Sequence, residues 1–320
     1  MGGAIAGTAI LKNLSPSNRL KTVTLTINNR CNLTCPHCYL QYEKKNFLVE
    51  EPTINSIFNS DFEHLAIVGK EPFVNKASIA LLENLAEKCY LKNKSVSVIT
   101  NGIGLTNLNP SVANYLDYID VSFDGGKDTY HLYRKGSFDK IIDSIYKIQS
   151  NSNVTFNALH TLSTGTINNI DDMMSVRRFA DFKIIMFSPY LNTLHDGKND
   201  VSIVQLEEIL KRLSQSTGFV EAKESLLLMD TYHTEQEGVS TETLKELISF
   251  YQLDSKIILI EKDPLNYGII RVTYDDYVLS PYESIHPKHY NKSPHLASET
   301  NLNQVFEVMQ NNFSKNESCK

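Results

Sequence analysis

The chain has 320 residues, 41% of them apolar, with a formal net charge of −6 and a pI near 5.9. That apolar content over that length supports one large core and argues against disorder, and the acidic balance leaves no cationic surplus to neutralise a phosphate backbone, so nucleic acid is not an expected partner. The opening MGGAIAGTAILKNL lacks the basic and long apolar regions of a signal peptide, and Ala6 stands where myristoylation of Gly2 needs Ser or Thr. With no apolar run of membrane-spanning length, no membrane is expected and the location reads as cytoplasmic.

In chain order, a lead-in of residues 1–20 precedes a strand at 21–28 (KTVTLTIN), a strand at 64–68 (HLAIV) and a helix over 76–90. A strand at 95–100 (SVSVIT), a short helix near 110–116, a strand at 118–123 (YIDVSF) and a helix at 137–149 follow. The series ends with a strand at 154–159 (VTFNAL), a helix at 171–179 and a strand at 182–187 (FKIIMF). Six β–α units in a row predict an α/β fold with a parallel sheet, a partial (β/α)6 barrel over residues 21–200. Beyond residue 200 the pattern changes to helices at 204–213 and 240–251, then short strands KIILIE, GIIRVT and YVLS, the last two joined by a turn at 274–277. This predicts a smaller α+β C-terminal region over 201–313, packed with the barrel as one body. A polar tail over 314–320 (SKNESCK) is expected to be disordered.

Five cysteines in a presumed reducing compartment do not suggest a disulfide framework, and three of them, Cys31, Cys35 and Cys38, fall within eight residues on a loop after the first strand. Cys89 sits in a helical pattern and reads as packing, and Cys319 lies in the tail. Three thiolates on one short loop can hold three irons of a cubane and leave the fourth iron open to chelate a small molecule. Two other chemistries fit part of the pattern. Cys35-Pro36-His37-Cys38 alone has the form of a thiol–disulfide oxidoreductase motif, but that leaves Cys31 unexplained. A zinc-binding module would need His37 or a remote histidine as the fourth ligand, and His37 lies between two of the other ligands.

The C-x3-C-x2-C spacing followed by Tyr39 resembles the signature of the radical S-adenosylmethionine (SAM) superfamily, and the resemblance extends over about residues 22–190. Gly69-Lys70-Glu71-Pro72 resembles the family's Gly-Gly-Glu-Pro stretch, which receives the SAM amino group, with Lys70 in place of the second glycine. Thr100-Asn101-Gly102 and Ser122-Phe123-Asp124-Gly125 resemble its motifs near the SAM ribose and carboxylate. Tyr133-Arg134-Lys135-Gly136, opening the next helix, is similar to a Tyr-Arg-x-Gly whose arginine can pair the SAM carboxylate, and Ser188 and Tyr190 end the sixth strand as a wall for the adenine. Most of these motifs lie at or just past the carboxyl ends of strands, the face on which active sites of parallel α/β folds are built.

The resemblance implies one 4Fe–4S cluster, SAM, and a flavodoxin- or ferredoxin-like electron donor. The implied reaction is reductive cleavage of SAM to methionine and a 5′-deoxyadenosyl radical that abstracts a substrate hydrogen. Residues 270–281 resemble the opening strand pair of a cysteine-rich extension, but Pro281 and Tyr282 stand where its cysteine would be, so no auxiliary cluster is expected. The C-terminal region is expected to cover the barrel mouth, with Tyr274, Tyr277, Tyr282, His286 and His289 as candidate substrate contacts. His286, His289 and His295 also invite a metal reading, but Pro287 makes the segment a loop. The substrate is read as a ribosomally made peptide or, alternatively, a small metabolite such as a sugar, nucleoside or amino-acid derivative.

Overall fold

The computed structural model describes residues 7–35, 38, 47–189, 203–236, 238–281 and 295–317. Tyr39, Tyr190, His37, Tyr282, His286, His289 and Cys319 therefore lie outside the described residues. Ten strands form one sheet: β1 (Thr22–Thr26), β2 (His64–Val68), β3 (Ser95–Thr100), β4 (Tyr118–Ser122), β5 (Thr155–Leu162), β6 (Ile184–Pro189), β7 (Ser225–Asp230), β8 (Ile257–Ile260), β9 (Ile269–Val272) and β10 (Val278–Leu279). Their spatial order is β10-β9-β1-β2-β3-β4-β5-β6-β7-β8, with every neighbouring pair parallel except the β9–β10 hairpin. β8 and β10 are the edges, so the sheet is an open partial barrel.

The expected six parallel strands are all present, and the ladder is longer than periodicity predicts. β7 and β8 continue it beyond β6, and β9 joins the far side of β1, so strands assigned to a separate C-terminal region share the barrel's sheet. β7 escapes a sequence reading because SLLLMD is buried at every position, and a short unbroken apolar run has no period to separate strand from helix. β5 runs to Leu162, three residues past its expected end. The C-terminal helix Leu302–Glu317 continues into the segment expected to be a disordered tail.

Strands buried on both faces need a cover on each. On the outer face lie amphipathic helices such as Phe138–Gln149, capped by Ser137 and burying Phe138, Ile141, Ile142, Ile145 and Ile148 at helical spacing. The inner face is filled by the lead-in. Helix Thr8–Lys12 places the fully buried Leu11, flanked by Ile10 and Leu14, against Ile184, Met186, Leu226, Leu228, Ile260 and Ile269 of β6 to β9. Its N-terminal end rests on a polar layer. The Thr8 N–H donates to Asp120 Oδ2 at 2.8 Å, Asn157 Nδ2 donates to Asp120 Oδ1 at 2.6 Å, and His64 lies between Ser95 and Ser97, 2.5 and 2.9 Å from their hydroxyls. Replacing Leu11 by Ala opens a cavity where β6 to β9 meet, and is expected to cost about 2–5 kcal/mol in urea unfolding.

Two histidines are buried neutral. Burial pushes His64 down to about 3, and burial, with Asp124 and Arg134 acting in opposite directions, pushes His160 down to about 4. His160 stacks between Phe123 and Phe187 with ring centroids 6.2 and 5.1 Å away, and among the described residues neither ring nitrogen has a hydrogen-bond partner. The unfolded chain takes up a proton at each histidine near pH 6.5 while the folded chain does not, so this contribution to stability is complete above pH 6.5 and is lost as the pH falls toward 4. His160→Phe is expected to make the decline of unfolding free energy between pH 6.5 and 4 shallower, measured by urea titrations across that range; an unchanged slope contradicts the assignment.

Candidate functional site

The site is assembled where β1 to β5 release their loops on one face of the sheet. The exit of β1 is fixed by Asn28, fully buried, whose Nδ2 donates to the Glu71 carbonyl at 2.9 Å and to Ser78 Oγ at 3.1 Å, while its Oδ1 accepts the Arg30 N–H at 3.2 Å. Gly69 passes so close that a Cβ there would sit 3.0 Å from Asn28 Oδ1. A glycine lets the β1 and β2 exits run side by side.

Glu71 is completely buried and joins two loops. Its Oε1 accepts the Phe73 N–H at 3.0 Å and the Thr100 hydroxyl at 2.6 Å, and its Oε2 accepts the Asn101 N–H at 2.7 Å. Burial pushes its pKa up, opposed by these three hydrogen bonds and by the Arg134 charge. Pro72, also buried, continues the turn.

Asn101 carries the connection to the cysteine loop. Its Nδ2 donates to Asn32 Oδ1 at 2.7 Å and approaches Cys31 Sγ at 3.6 Å, and the Leu33 N–H reaches the same sulfur at 3.3 Å. The loop turns back at Cys38, whose N–H donates to the Cys35 carbonyl at 3.1 Å. Cys31 and Cys35 are half-buried and Cys38 is exposed. Burial raises Cys31, against the Leu33 hydrogen bond, and raises Cys35 to about 11, against the Arg134 charge.

The β4 loop opens with Asp124, left-handed at φ 55° and 1% exposed. Its Oδ1 accepts the Thr161 N–H from β5 at 2.7 Å, and its Oδ2 accepts Arg134 Nε at 2.7 Å and Nη2 at 2.6 Å. Arg134 follows the short helix Tyr130–Tyr133 and precedes the helix beginning at Phe138, so it does not open the next helix as its motif suggests. Burial works against its charge, but Asp124 and the Cys35 side raise its pKa overall. A guanidinium this buried needs a carboxylate, and Asp124 supplies it.

Cys31, Cys35, Cys38, Gly69, Glu71, Pro72, Thr100, Asn101, Asp124 and Arg134 thus gather in one neighbourhood, with Glu71 and Asp124 bonded to donors of the protein. Ser122 and Ser188 are half-buried on the inner face of β4 and β6. Asn28, the backbone of Thr161 and Asp172 were not among the sequence candidates. An asparagine closing an otherwise apolar strand, directly before the cysteine loop, is the signal that marks Asn28.

The donor set suits a cubane. Three thiols lie on one loop beside a buried cation, and the N–H groups of Asn101 and Leu33 point at one sulfur. Cubane thiolates bind separate irons, whereas a zinc site gathers its ligands around one ion.

Residues 25–180 match the model of the Radical SAM superfamily. The chain belongs to this superfamily. A 4Fe–4S cluster and SAM are the cofactors characteristic of this family. The chain is 28% identical over 206 residues to a cysteine-type anaerobic sulfatase-maturating enzyme of Clostridium novyi, covering 56% of this chain and 54% of that one. It is 28% identical over 136 residues to a probable GTP 3′,8-cyclase of Methanocella arvoryzae, covering 40% and 43%. It therefore spans about half the length of these curated relatives. Among solved structures, SuiB of Streptococcus suis bound to S-adenosylmethionine superposes with a TM-score of 0.66 at 12% identity, covering 93% of this chain and 68% of that one. The anSMEcpe structure with bound AdoMet and the Kp18Cys peptide gives 0.59 at 19%, covering 89% and 80%. At these identities what is shared is the fold.

Glu71→Gln keeps the volume but turns an amide NH2 toward a backbone N–H. An expected loss of about 1–3 kcal/mol in urea unfolding checks the bridge, because the misplaced donor is fully buried.

Proposed function

We propose that this radical SAM enzyme abstracts a hydrogen from a ribosomally made peptide in the course of its maturation, with Cys31, Cys35 and Cys38 as the cluster ligands and the β2, β3 and β4 loops as the SAM cradle. When bound, the cluster supplies the electron that splits SAM into methionine and a 5′-deoxyadenosyl radical, the species that takes the substrate hydrogen. The observation that carries the reading is the convergence of the three-cysteine loop with Glu71, Asn101 and the Asp124–Arg134 pair.

The chain's own residues have separable tasks. Asn101 and Leu33 direct N–H groups at Cys31 Sγ, withdrawing charge from that sulfur and favouring the reduced cluster. Glu71 fixes the spacing between the β2 and β3 loops, so residues 69–72 and 100–102 would present one surface to the amino and ribose ends of SAM. Asp124 holds Arg134 at the mouth, where its cation can steer the SAM carboxylate. Ser122 and Ser188 face the interior across which SAM and substrate would meet, and Tyr39 and Tyr190 are kept as SAM contacts on the sequence resemblance alone. The electron would come from a flavodoxin- or ferredoxin-like donor reaching the exposed Cys38 side.

Peptide chemistry is favoured because the relatives include a sulfatase-maturating enzyme and the fold neighbours include SuiB bound to the precursor peptide SuiA. The alternative, a small metabolite, is kept by the GTP 3′,8-cyclase relative. Tyr274, Tyr277, Tyr282, His286 and His289 are the candidate substrate contacts of the C-terminal region. Among the described residues no helix is long and apolar enough to cross a membrane, in keeping with the proposed cytoplasmic setting.

Anaerobic reconstitution with iron and sulfide, followed by dithionite and SAM, is expected to give about four irons per chain and 5′-deoxyadenosine, both lost in Cys35→Ala. Zinc in place of iron, or a loaded cluster without deoxyadenosine, would overturn the reading.

A further inference from the structure

Resting on the function proposed above, we infer that Asp172 is a positioning residue for the SAM cradle, acting through the β4 loop. Asp172 lies in the short helix Ile170–Met174 after β5, half-buried. Its Oδ2 accepts three donors from one loop: the Gly126 N–H at 3.0 Å, the Thr129 N–H at 3.0 Å and the Thr129 hydroxyl at 2.6 Å. The Gly126 backbone is pressed so closely to it that a Cβ would lie 1.8 Å from the Asp172 carbonyl oxygen and 2.4 Å from its Oδ1. No residue larger than glycine fits, so the aspartate is both acceptor and wall.

The grip extends along the whole loop. Asp124, at its start, is held by the Thr161 N–H. The middle, Gly126 to Thr129, is held by Asp172. At the end, Tyr133 donates its hydroxyl to the Gly165 carbonyl at 2.6 Å and accepts from Asn169 Nδ2 at 2.8 Å, immediately before Arg134. All three attachments come from residues 161–172, so the end of β5 and the segment after it fix the segment following β4 at three points. Between the first and third sits the Asp124–Arg134 ion pair, whose geometry depends on Asp124 keeping its left-handed backbone. Of the three, the Asp172 attachment gathers the most donors on one carboxylate oxygen, and hydrogen bonds to a carboxylate are about twice as strong as neutral ones.

Loss of this carboxylate frees three donors at once and lets the loop relax from Gly126 toward Asp124, displacing Arg134 while leaving the cysteines and Glu71 in place. Asp172→Ala in the reconstituted enzyme is therefore expected to raise the KM for SAM about tenfold, the equivalent of one charge-assisted hydrogen bond, with iron content unchanged and kcat less affected. Hydrogen–deuterium exchange without SAM is expected to accelerate across residues 124–134 and not in β1 to β3. Thr129→Val, which removes one donor and retains the shape, is expected to act in the same direction with a smaller effect, and supplies the test if Asp172→Ala fails to fold. An unchanged KM with unchanged exchange at 124–134, or acceleration spread evenly over the sheet, overturns the inference. The exchange measurement needs no SAM cleavage, so it reads the clamp even where a wild-type enzyme without deoxyadenosine production defeats the functional reading.

Discussion

A parallel sheet delivers the loops that follow its strands to one end, and their freed backbone N–H groups need acceptors in a crowded, partly buried place. Here side-chain oxygens meet that need by reaching from one loop into the next. Glu71 binds the β2 exit to the β3 exit, Asp124 binds the β4 exit to β5, and Asp172 returns from the β5 exit to the β4 loop. Asn28 and Asn101 carry the same logic toward the cysteine loop with amides. The cradle is thus a chain of side-chain hydrogen bonds, carboxylates accepting and amides donating, that joins one loop to the next.

This arrangement explains why acids named by motif as cofactor residues are found bonded to the protein. A carboxylate buried as deeply as that of Glu71 or Asp124 is stable only with several donors or a cation. Its contribution is then made at one remove: what it presents to a ligand is the position of its partners. Arg134 is the clearest case, since the same ion pair that makes its burial tolerable also fixes where its remaining N–H groups point.

The motifs were legible because each occupies a strand end in a fixed order, and strand ends can be found from alternation and turn residues. Their partners were not, since Thr161 contributes a backbone N–H that any residue would supply, and Asp172 lies 46 residues from the glycine it grips. The six central strands could be read from β–α alternation. β7 could not, because the apolar run Leu226–Met229 at its centre has no period, and the joining of β9 to β1 could not, because pairing over nearly 250 residues leaves no local trace. The lead-in looked like an appendage for a related reason: Ile10, Leu11 and Leu14 are too few to show a period, yet they fill the inside of the sheet.

That placement of the lead-in alters what sets the size of the enclosure. In a closed barrel the diameter follows from strand number and stagger, and every hydrogen bond around the ring enforces it. This sheet is a split ring that ends at β8 and β10, and helix Thr8–Lys12 is wedged within it. The girth is governed by the bulk of a few aliphatic side chains on that wedge, so the calibre of the mouth can drift in evolution through residues that never approach it, without a change in strand count or in any residue of the cradle.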